Sequence, residues 1–238
     1  MKYVCIVGTK AVGKTTFGDI LLNELTSAGF VVSHDAIARP IKTTLAGMFN
    51  LGIEYFNNPH LKEKECAKMN HVTPRKAMQA FGTDFAQAVF GREIWCKMLV
   101  DRTTDNDITI VSDVRFEHEF EFFDRLGAKF IFVEKDRKII HRMQTGQYRR
   151  RQKLWLWPFN TMKNRRSDIH ASELGLAHMY NKKHHVLVEN TTTMGDLVYI
   201  AQRYVEAHRN CFQKHLRRAG RRVIPIHSNE HSIPTKKF

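Results

Sequence analysis

An eight-residue segment near the N-terminus has the residue types and spacing of a phosphate-binding loop. Residues 8–15 read GTKAVGKT and fit the pattern GxxxxGK[ST]. Glycines allow the backbone N–H groups of such a loop to turn toward phosphate oxygens, and the helix that follows adds partial positive charge at its N-terminus. The residues that we predict to bind ATP are Gly8, Lys10, Ala11, Val12, Gly13, Lys14, Thr15 and Thr16.

Two of these side chains are predicted to have roles beyond binding ATP. Lys14 is expected to reach the β- and γ-phosphates, and we predict that it is catalytic because it offsets charge on the transferred group. Thr15 is expected to offer its hydroxyl to Mg²⁺. The alternative for the whole segment is an ordinary turn between a strand and a helix.

A second candidate segment is Asp113-Val114-Arg115, which follows a short apolar run. Ligands of doubly wound sheets bind at the carboxyl ends of the strands. A carboxylate there can hold Mg²⁺ directly or through water, so Asp113 is predicted to be catalytic and a metal ligand. Arg115 is predicted to be catalytic because a guanidinium can bind phosphate through two parallel hydrogen bonds. The alternative for Asp113 is a structural ion pair.

A third candidate is a basic stretch, residues 135–166, which carries 11 basic side chains against one acidic side chain. Arginines that arrive from a closing segment can stabilise the charge of the γ-phosphate and exclude water. We therefore predict a lid over residues 136–167. Most arginines in such a run are solvated, and the sequence does not select those that touch phosphate. The candidates are Arg149, Arg150, Arg151, Arg165 and Arg166.

Short apolar strands alternate with amphipathic helices along the chain, and these elements must position the three segments. Such alternation indicates a parallel sheet with helices on both faces. The predicted strands are Tyr3–Val7, Phe30–Ser33, Ile108–Val111, Lys129–Glu134 and His185–Val188. The predicted helices are Lys14–Ser27, Pro40–Leu51, Arg75–Phe81, Thr83–Phe90, one from Arg92, Phe116–Leu126 and Met194–Ala207, with a break at Gly82. We predict a three-layer α/β P-loop NTPase fold with a five-stranded parallel sheet.

The composition of the 238-residue chain narrows the class of protein. Hydrophobic residues make up 42% of it, which is enough for a packed domain. No apolar run reaches the roughly 18–20 residues of a membrane span, and the N-terminus lacks the layout of a secretion signal. The four cysteines are widely spaced, unlike those of zinc sites or disulfide frameworks. We expect a cytoplasmic protein without a membrane partner.

The net charge of +14 is concentrated in two segments. One is the basic stretch described above, and the other is residues 208–238, with 8 basic side chains against one acidic side chain. The rest of the chain is nearly neutral. This distribution favours a phosphate-gripping lid and a basic C-terminal tail, although it also permits nucleic-acid binding by the tail.

Motifs along the chain resemble, in order, those of the bacteriophage-type deoxynucleoside monophosphate kinases. They extend over about residues 3–206, and each is modestly specific alone. The matches are DAIARPIK (35–42) to FADPLK, TPR and QAFGT (73–83) to PR..LQ.LGT, Gly91 and Trp95 to G.D.W, DVRFEHE (113–119) to DVRFPNE, HASE (170–173) to H.SE, and VEN (188–190) to I.N.GT.

The resemblance implies a pocket for a deoxynucleoside 5′-monophosphate, with ATP and Mg²⁺ completing the reaction. It implies a kinase domain over residues 1–207 that contains a helical acceptor-binding insert at about 36–105. Lys42, Arg75 and Arg115 become candidates for binding the acceptor phosphate, and Gln79, Trp95 and Glu119 for lining or supporting its base and sugar. The acceptor-binding residues implied are Asp35, Lys42, Arg75, Gln79, Trp95, Arg115 and Glu119.

The sequence departs from the family pattern at three places. Arg39 stands where the family usually has an acidic residue, Glu117-His118 replaces Pro-Asn, and the segment after Asn190 lacks the usual glycine. These departures bear on acceptor specificity rather than on the type of reaction.

The predicted function is Mg²⁺-dependent phosphoryl transfer from ATP to a deoxynucleoside monophosphate, in nucleotide supply for DNA synthesis. We expect no required nucleic acid, leave a homodimer open, and expect the host cytoplasm if the chain is phage-encoded. One alternative is another P-loop kinase of small molecules, which acceptor screening would reveal. The other is a nucleic-acid-associated P-loop ATPase, which DNA would stimulate. The preferred bases and the choice between deoxyribose and ribose stay open.

Overall fold

Residues 2–146, 176–181, 183–190 and 193–218 are described in a computed structural model. The strands are β1 (Tyr3–Val7), β2 (Val32–Asp35), β3 (Ile108–Val111), β4 (Lys129–Glu134) and β5 (Val186–Glu189). They form one sheet in the order β2-β3-β1-β4-β5, and every pair of neighbours is parallel. The predicted five-stranded parallel sheet is therefore confirmed.

Successive side chains of β1 enter two apolar clusters, one on each face of the sheet. Tyr3, Cys5 and Val7 belong to one cluster, and Val4 and Ile6 belong to the other. Because helices cover both faces, β1 is apolar along its whole length rather than alternating with polar residues. The molecule thus has the three layers that the sequence predicts.

Nine α-helices are found in the part of the chain that the structure describes. They are α1 (Lys14–Ser27), α2 (Arg39–Met48), α3 (Glu54–Asn57), α4 (Pro74–Gln79), α5 (Ala88–Phe90), α6 (Ile94–Arg102), α7 (Glu117–Arg125), α8 (Arg137–Thr145) and α9 (Met194–Arg218). Short 3₁₀ turns lie at Leu61–Glu63, Ala67–Met69 and Ala177–Met179. Among these described helices, none is long and apolar enough to cross a membrane.

The structure shows no break at Gly82, where the sequence predicted one. Helix α4 runs into a π-helical segment, Ala80–Gln87, which leads directly into α5. A Cβ at Gly82 would meet Ile41 Cδ1 at 2.6 Å. The Gly82 carbonyl also accepts a hydrogen bond from Trp95 Nε1 at 2.8 Å. A side chain at this position would have to displace the end of the Ile41 side chain, so Gly82 allows close packing against α2 and does not end a helix.

The last helix extends beyond its predicted end at Ala207 and reaches Arg218. Phe212 and Leu216 from this extension are buried in the same cluster as α1. The ring of Phe212 lies 5.6 Å from that of Phe30, which precedes β2 instead of starting it. The first part of the basic C-terminal segment thus packs on the body of the protein.

Candidate active site

A cavity of about 1220 Å³ lies beyond the carboxyl ends of β1, β2 and β3. Its wall includes the loop after β1, the turn after β2, and residues from the helices between β2 and β3. The volume exceeds the roughly 300–1,000 Å³ of a single small-molecule pocket. The cavity therefore has room for more than one ligand, at the sheet edge where α/β proteins bind them.

The loop between β1 and α1 depends on two glycines. A Cβ at Gly8 would collide with the carbonyl oxygen of Val133, so only glycine fits at this position. Gly13 has a φ of 89°, in the left-handed region that glycine adopts readily. The backbone can therefore fold back at both ends of the loop, as phosphate binding requires.

Lys14, the first residue of α1, holds the backbone of this loop. Its Nζ donates hydrogen bonds to the carbonyls of Gly8 at 2.9 Å and Thr9 at 2.5 Å. Thr15 and Thr16 are exposed on the first turn of α1 and line the cavity together with Lys14. An ammonium group, two hydroxyls and a helix N-terminus thus face one space, an arrangement suited to a polyphosphate.

Two other elements anchor the loop from outside. Buried Glu134, at the end of β4, accepts hydrogen bonds from Thr9 Oγ1 at 2.9 and 3.1 Å. Asn190, which follows β5, donates from Nδ2 to the Val12 carbonyl at 2.8 Å. The loop conformation therefore depends on strands that are distant in sequence, and no sequence motif marks Glu134 as functional.

Asp113 lies beyond β3 and binds the backbone of the turn after β2. Its Oδ1 accepts from Ile37 N at 2.7 Å, and its Oδ2 accepts from Ala38 N at 2.9 Å. Each carboxylate oxygen has a second lone pair that can face the cavity. The residue is thus positioned at the predicted strand end, and it also holds the start of α2.

Several cations line the part of the cavity beside the helices between β2 and β3, which we call the insert side. Lys42, Lys62, Arg75 and Arg115 come from four separate segments, and Arg39 is paired with Asp35. Burial, reinforced by Arg75, Lys42 and Arg115, lowers the pKa of Lys62. Burial likewise lowers the pKa of Lys42, whose Nζ donates to Asn57 Oδ1 at 2.9 Å. These cations are therefore close enough to repel one another, and together they can bind an anion.

Glu63 connects the insert side to the phosphate-binding loop. Its Oε1 accepts a hydrogen bond from Arg75 Nε at 2.6 Å and lies 3.6 Å from Lys10 Nζ. Burial alone would raise the pKa of Glu63, but the hydrogen bond and charge of Arg75 lower it on balance. An ionised carboxylate thus lies between a cation of each half of the cavity.

Part of this chain is similar to a known family of proteins. Residues 52–146 match the model of a family described as deoxynucleotide monophosphate kinase. The "Putative deoxynucleotide monophosphate kinase" of Acanthamoeba polyphaga mimivirus is 26% identical over 150 residues, which cover 57% of this chain and 75% of the viral protein. The chain is a nucleotide kinase. The resemblance stated from the sequence motifs is confirmed.

Solved structures of two other kinases are similar to this kinase in fold. Shikimate kinase from Aquifex aeolicus vf5 has a TM-score of 0.41 at 13% identity, covering 87% of this chain and 98% of that one. A gluconokinase from Sinorhizobium meliloti 1021 has a TM-score of 0.39 at 11% identity, covering 90% and 97%.

A histidine that sequence reasoning missed links three elements of the kinase beside the loop. His34 Nδ1 lies 2.7 Å from Asp19 Oδ1, and its Nε2 lies 2.7 Å from Ser112 Oγ. A Cβ at Gly18 would come within 2.6 Å of the imidazole, so α1 can approach β2 only through glycine. This chain of contacts aligns α1 with the ends of β2 and β3. An isolated histidine in the sequence carries no signal for such a role.

Asp35 lines the cavity, and its buried carboxylate is shared by two arginines. Arg39 Nε lies 2.9 Å from Oδ1, and Arg102 Nε lies 2.9 Å from Oδ2. Arg39 is the residue that replaces the usual acidic side chain of the family pattern. In this kinase, the replacement supplies one of the two partners of Asp35.

Gln79 and Trp95, which were predicted to lie near the acceptor base and sugar, both line the cavity of the kinase. The Trp95 ring is buried, and its hydrogen bond to the Gly82 carbonyl fixes its orientation. The structure therefore brings both residues to the cavity, and it gives Trp95 a structural contact as well.

Glu119 also lines the cavity, and its side chain caps the N-terminus of α7. Its Oε2 accepts hydrogen bonds from Arg115 N at 2.7 Å and Phe116 N at 3.0 Å. Burial, with a further contribution from Asp113, raises the pKa of Glu119 to about 8 despite these hydrogen bonds. The carboxyl group thus positions the backbone that carries Arg115.

The predicted lid lies mostly outside the described residues of the kinase. Its first part forms α8, where Asp136 caps the helix by accepting a hydrogen bond from Lys138 N at 2.8 Å. The predicted lid arginines and the HASE motif fall on residues that the structure does not describe. Their roles stay predictions.

Proposed function

We propose that this kinase transfers the γ-phosphoryl group of ATP to a deoxynucleoside 5′-monophosphate, giving ADP and the diphosphate. The observation that carries the proposal is the division of one cavity into two cationic parts. The loop at Lys14 forms one part, and the cations of the insert side form the other. A reaction between two phosphate-bearing substrates needs one cationic part of the cavity for each substrate.

The loop side suits ATP. Lys14, the Thr15 hydroxyl and the N-terminus of α1 line the space where the β- and γ-phosphates would lie. Lys14 stabilises the negative charge that develops on the transferred group. The predicted lid arginines would add to this stabilisation and exclude water, which competes with the acceptor as a nucleophile.

The insert side suits a phosphate monoester. Lys42, Lys62, Arg75 and Arg115 surround one part of the cavity, and mutual repulsion among them is relieved when a dianion binds. Arg115 can bind the acceptor phosphate through two parallel hydrogen bonds. Gln79 lies further along the same wall, where it can contact the nucleoside.

The donors present at the loop fit Mg²⁺. Within the described residues, no group of three or more His, Cys, Asp or Glu side chains could hold a metal ion. Mg²⁺ commonly needs only one or two protein ligands, because water and substrate phosphates complete its shell. The Thr15 hydroxyl would hold it directly, and Asp113, whose oxygens already accept two backbone hydrogen bonds, would act through water. When bound, the ion neutralises phosphate charge.

The transfer itself needs little covalent chemistry from the protein. An oxygen of the acceptor phosphate forms a bond to the γ-phosphorus as the bond to the oxygen bridging to the β-phosphate breaks, and ADP leaves. The acceptor oxygen is already ionised, so no strong general base is required. The protein contributes by positioning the two substrates in line and by stabilising charge.

A coupled assay of ADP formation tests the proposal. ATP should be consumed only with one or more deoxynucleoside monophosphates, and a chelator should abolish turnover until Mg²⁺ is restored. Transfer to a different small molecule, with none to any nucleoside monophosphate, would assign the cavity to another P-loop kinase activity. ATP hydrolysis that depends on DNA would assign the protein to the nucleic-acid-associated ATPases.

A further inference from the structure

Glu63 is the carboxylate that bridges the two halves of the cavity. It lies on a 3₁₀ turn, Leu61–Glu63, and lines the cavity. The Arg75 contact is short, at 2.6 Å, and the Arg75 side chain is largely buried, with 16% exposed. The Lys10 contact is longer, at 3.6 Å, between partly exposed groups.

Each cation that Glu63 contacts also belongs to a predicted substrate site. Arg75 is expected to bind the acceptor phosphate, and Lys10 is part of the loop that is expected to bind ATP. A phosphate that enters either site would lie beside the Glu63 carboxylate, and two anions in contact repel. Glu63 must therefore move away before either phosphate can take its place.

Resting on the function proposed above, we infer that Glu63 is a positioning residue that occupies the place of a substrate phosphate and thereby couples the two substrate sites. The first substrate to bind displaces Glu63 from both Arg75 and Lys10. When the second substrate binds, Glu63 no longer contacts the cation of that substrate's site. Each substrate consequently strengthens the binding of the other, and by linkage the two effects are equal.

The variant Glu63→Gln tests this coupling because it removes the charge and keeps the shape. Calorimetry measures the affinity for a deoxynucleoside monophosphate with and without a non-hydrolysable ATP analogue. In Glu63→Gln, the monophosphate alone should bind about two- to fivefold more tightly than in the parent, which is the size expected for a partly exposed ion pair. With the analogue already bound, parent and variant should bind it equally.

Glu65→Gln is the matched control. Glu65 lies two residues along on the same segment, its side chain is 69% exposed, and its oxygen pairs with His71 at 3.7 Å instead of with a cavity cation. This variant changes the net charge by the same amount and should leave both affinities as in the parent. An equal gain in Glu65→Gln and Glu63→Gln would reduce the effect to general charge and overturn the inference.

Two further outcomes would also overturn it. Weaker binding of the monophosphate alone to Glu63→Gln would mean that Glu63 holds Arg75 ready for the substrate. An unchanged coupling ratio would mean that Glu63 does not connect the sites. If Glu63→Gln does not fold, Glu63→Ser provides the same measurement.

The failure of this inference is distinct from failure of the proposed function. If the parent binds no nucleoside monophosphate, the proposed function is wrong. Inorganic phosphate then serves as the probe, and its affinity should still rise in Glu63→Gln because displacement depends only on the anion. If the parent phosphorylates a monophosphate but the variants behave alike, only the coupling role is wrong.

Discussion

The loop side and the insert side of the cavity are built in different ways. The loop side comes from one continuous segment between β1 and α1, and its chemistry follows from local backbone geometry. The insert side collects Lys42, Lys62 and Arg75 from three helical elements and Arg115 from beyond β3. The loop side has the features of a general phosphate-binding motif. The insert side is where this kinase can differ from others, and its departure at Arg39 lies there.

If the loop side binds ATP, substitution of Lys14 should lower the rate of transfer more than any other change proposed here. We expect Lys14→Ala to lower the rate of transfer by about 10²–10³-fold at saturating ATP, because it removes a fixed charge beside the transferred group. Steady-state kinetics measure this, and Lys97→Ala on the exposed surface of α6 is the control. Activity within about threefold of the parent would contradict the assignment of the loop.

Substitutions on the insert side should impair use of the acceptor monophosphate and leave ATP binding unchanged. Arg115→Lys keeps the charge but loses the two-pronged contact, so we expect kcat/KM for the monophosphate to fall by about 10- to 100-fold. Calorimetry should show unchanged ATP affinity, and Arg125→Lys on α7 should change neither quantity. The opposite pattern, lost ATP binding with normal acceptor kinetics, would move Arg115 to the loop side.

A substitution of Trp95 tests whether this residue of the cavity stabilises the fold or contacts the substrate. Trp95→Phe leaves an aromatic ring but removes the hydrogen bond to the buried Gly82 carbonyl. We expect the free energy of unfolding to fall by about 1–2 kcal/mol, measured by denaturant titration. Tyr199→Phe, at a residue that is 52% exposed, should have no such effect. Normal stability with lost acceptor binding would show that the indole N–H serves the substrate.

The raised pKa of Glu119, which lines the cavity, predicts a pH dependence of stability. Its pKa is raised to about 8 in the folded protein from the ordinary value of 4.5, so the folded state holds the proton more tightly than the unfolded state. Its contribution is fully present below pH 4.5 and is lost as the pH rises through about 8. The melting temperature of the parent should fall relative to Glu119→Gln across this window. Parallel curves would refute the shift.

The smallest effect on transfer activity is expected from removing the C-terminal end of the chain. Truncation after Arg222 should leave transfer nearly unchanged, because every residue assigned to phosphate or acceptor binding precedes it. Truncation after Asn210 also removes the buried side chains of Phe212 and Leu216 and should destabilise the protein strongly. Weak DNA binding, if present, should fall with the first truncation and fade with salt. A folded but inactive Arg222 truncation would place the tail in the active site.

Prediction from the sequence succeeded where the physical signal is local. The bounds of β1, α1, β3 and β4 agree with the structure, because short apolar runs and helical spacing directly reflect burial. The error at Gly82 has the opposite cause. Glycine marks both helix ends and close packing, and only the contact with Ile41 and the hydrogen bond from Trp95 distinguish them.

The amino-acid sequence by itself determined the phosphate-binding loop, the order of strands and helices, and most cations of the insert side through motifs. Tertiary structure alone revealed Lys62 and Glu63, the His34 contacts, and the support of the loop by Glu134 and Asn190. The reason is that these groups meet across separations in sequence at which no local pattern constrains them. Burial and charge at such positions are properties of the assembled fold, and the distances between side chains decide their roles.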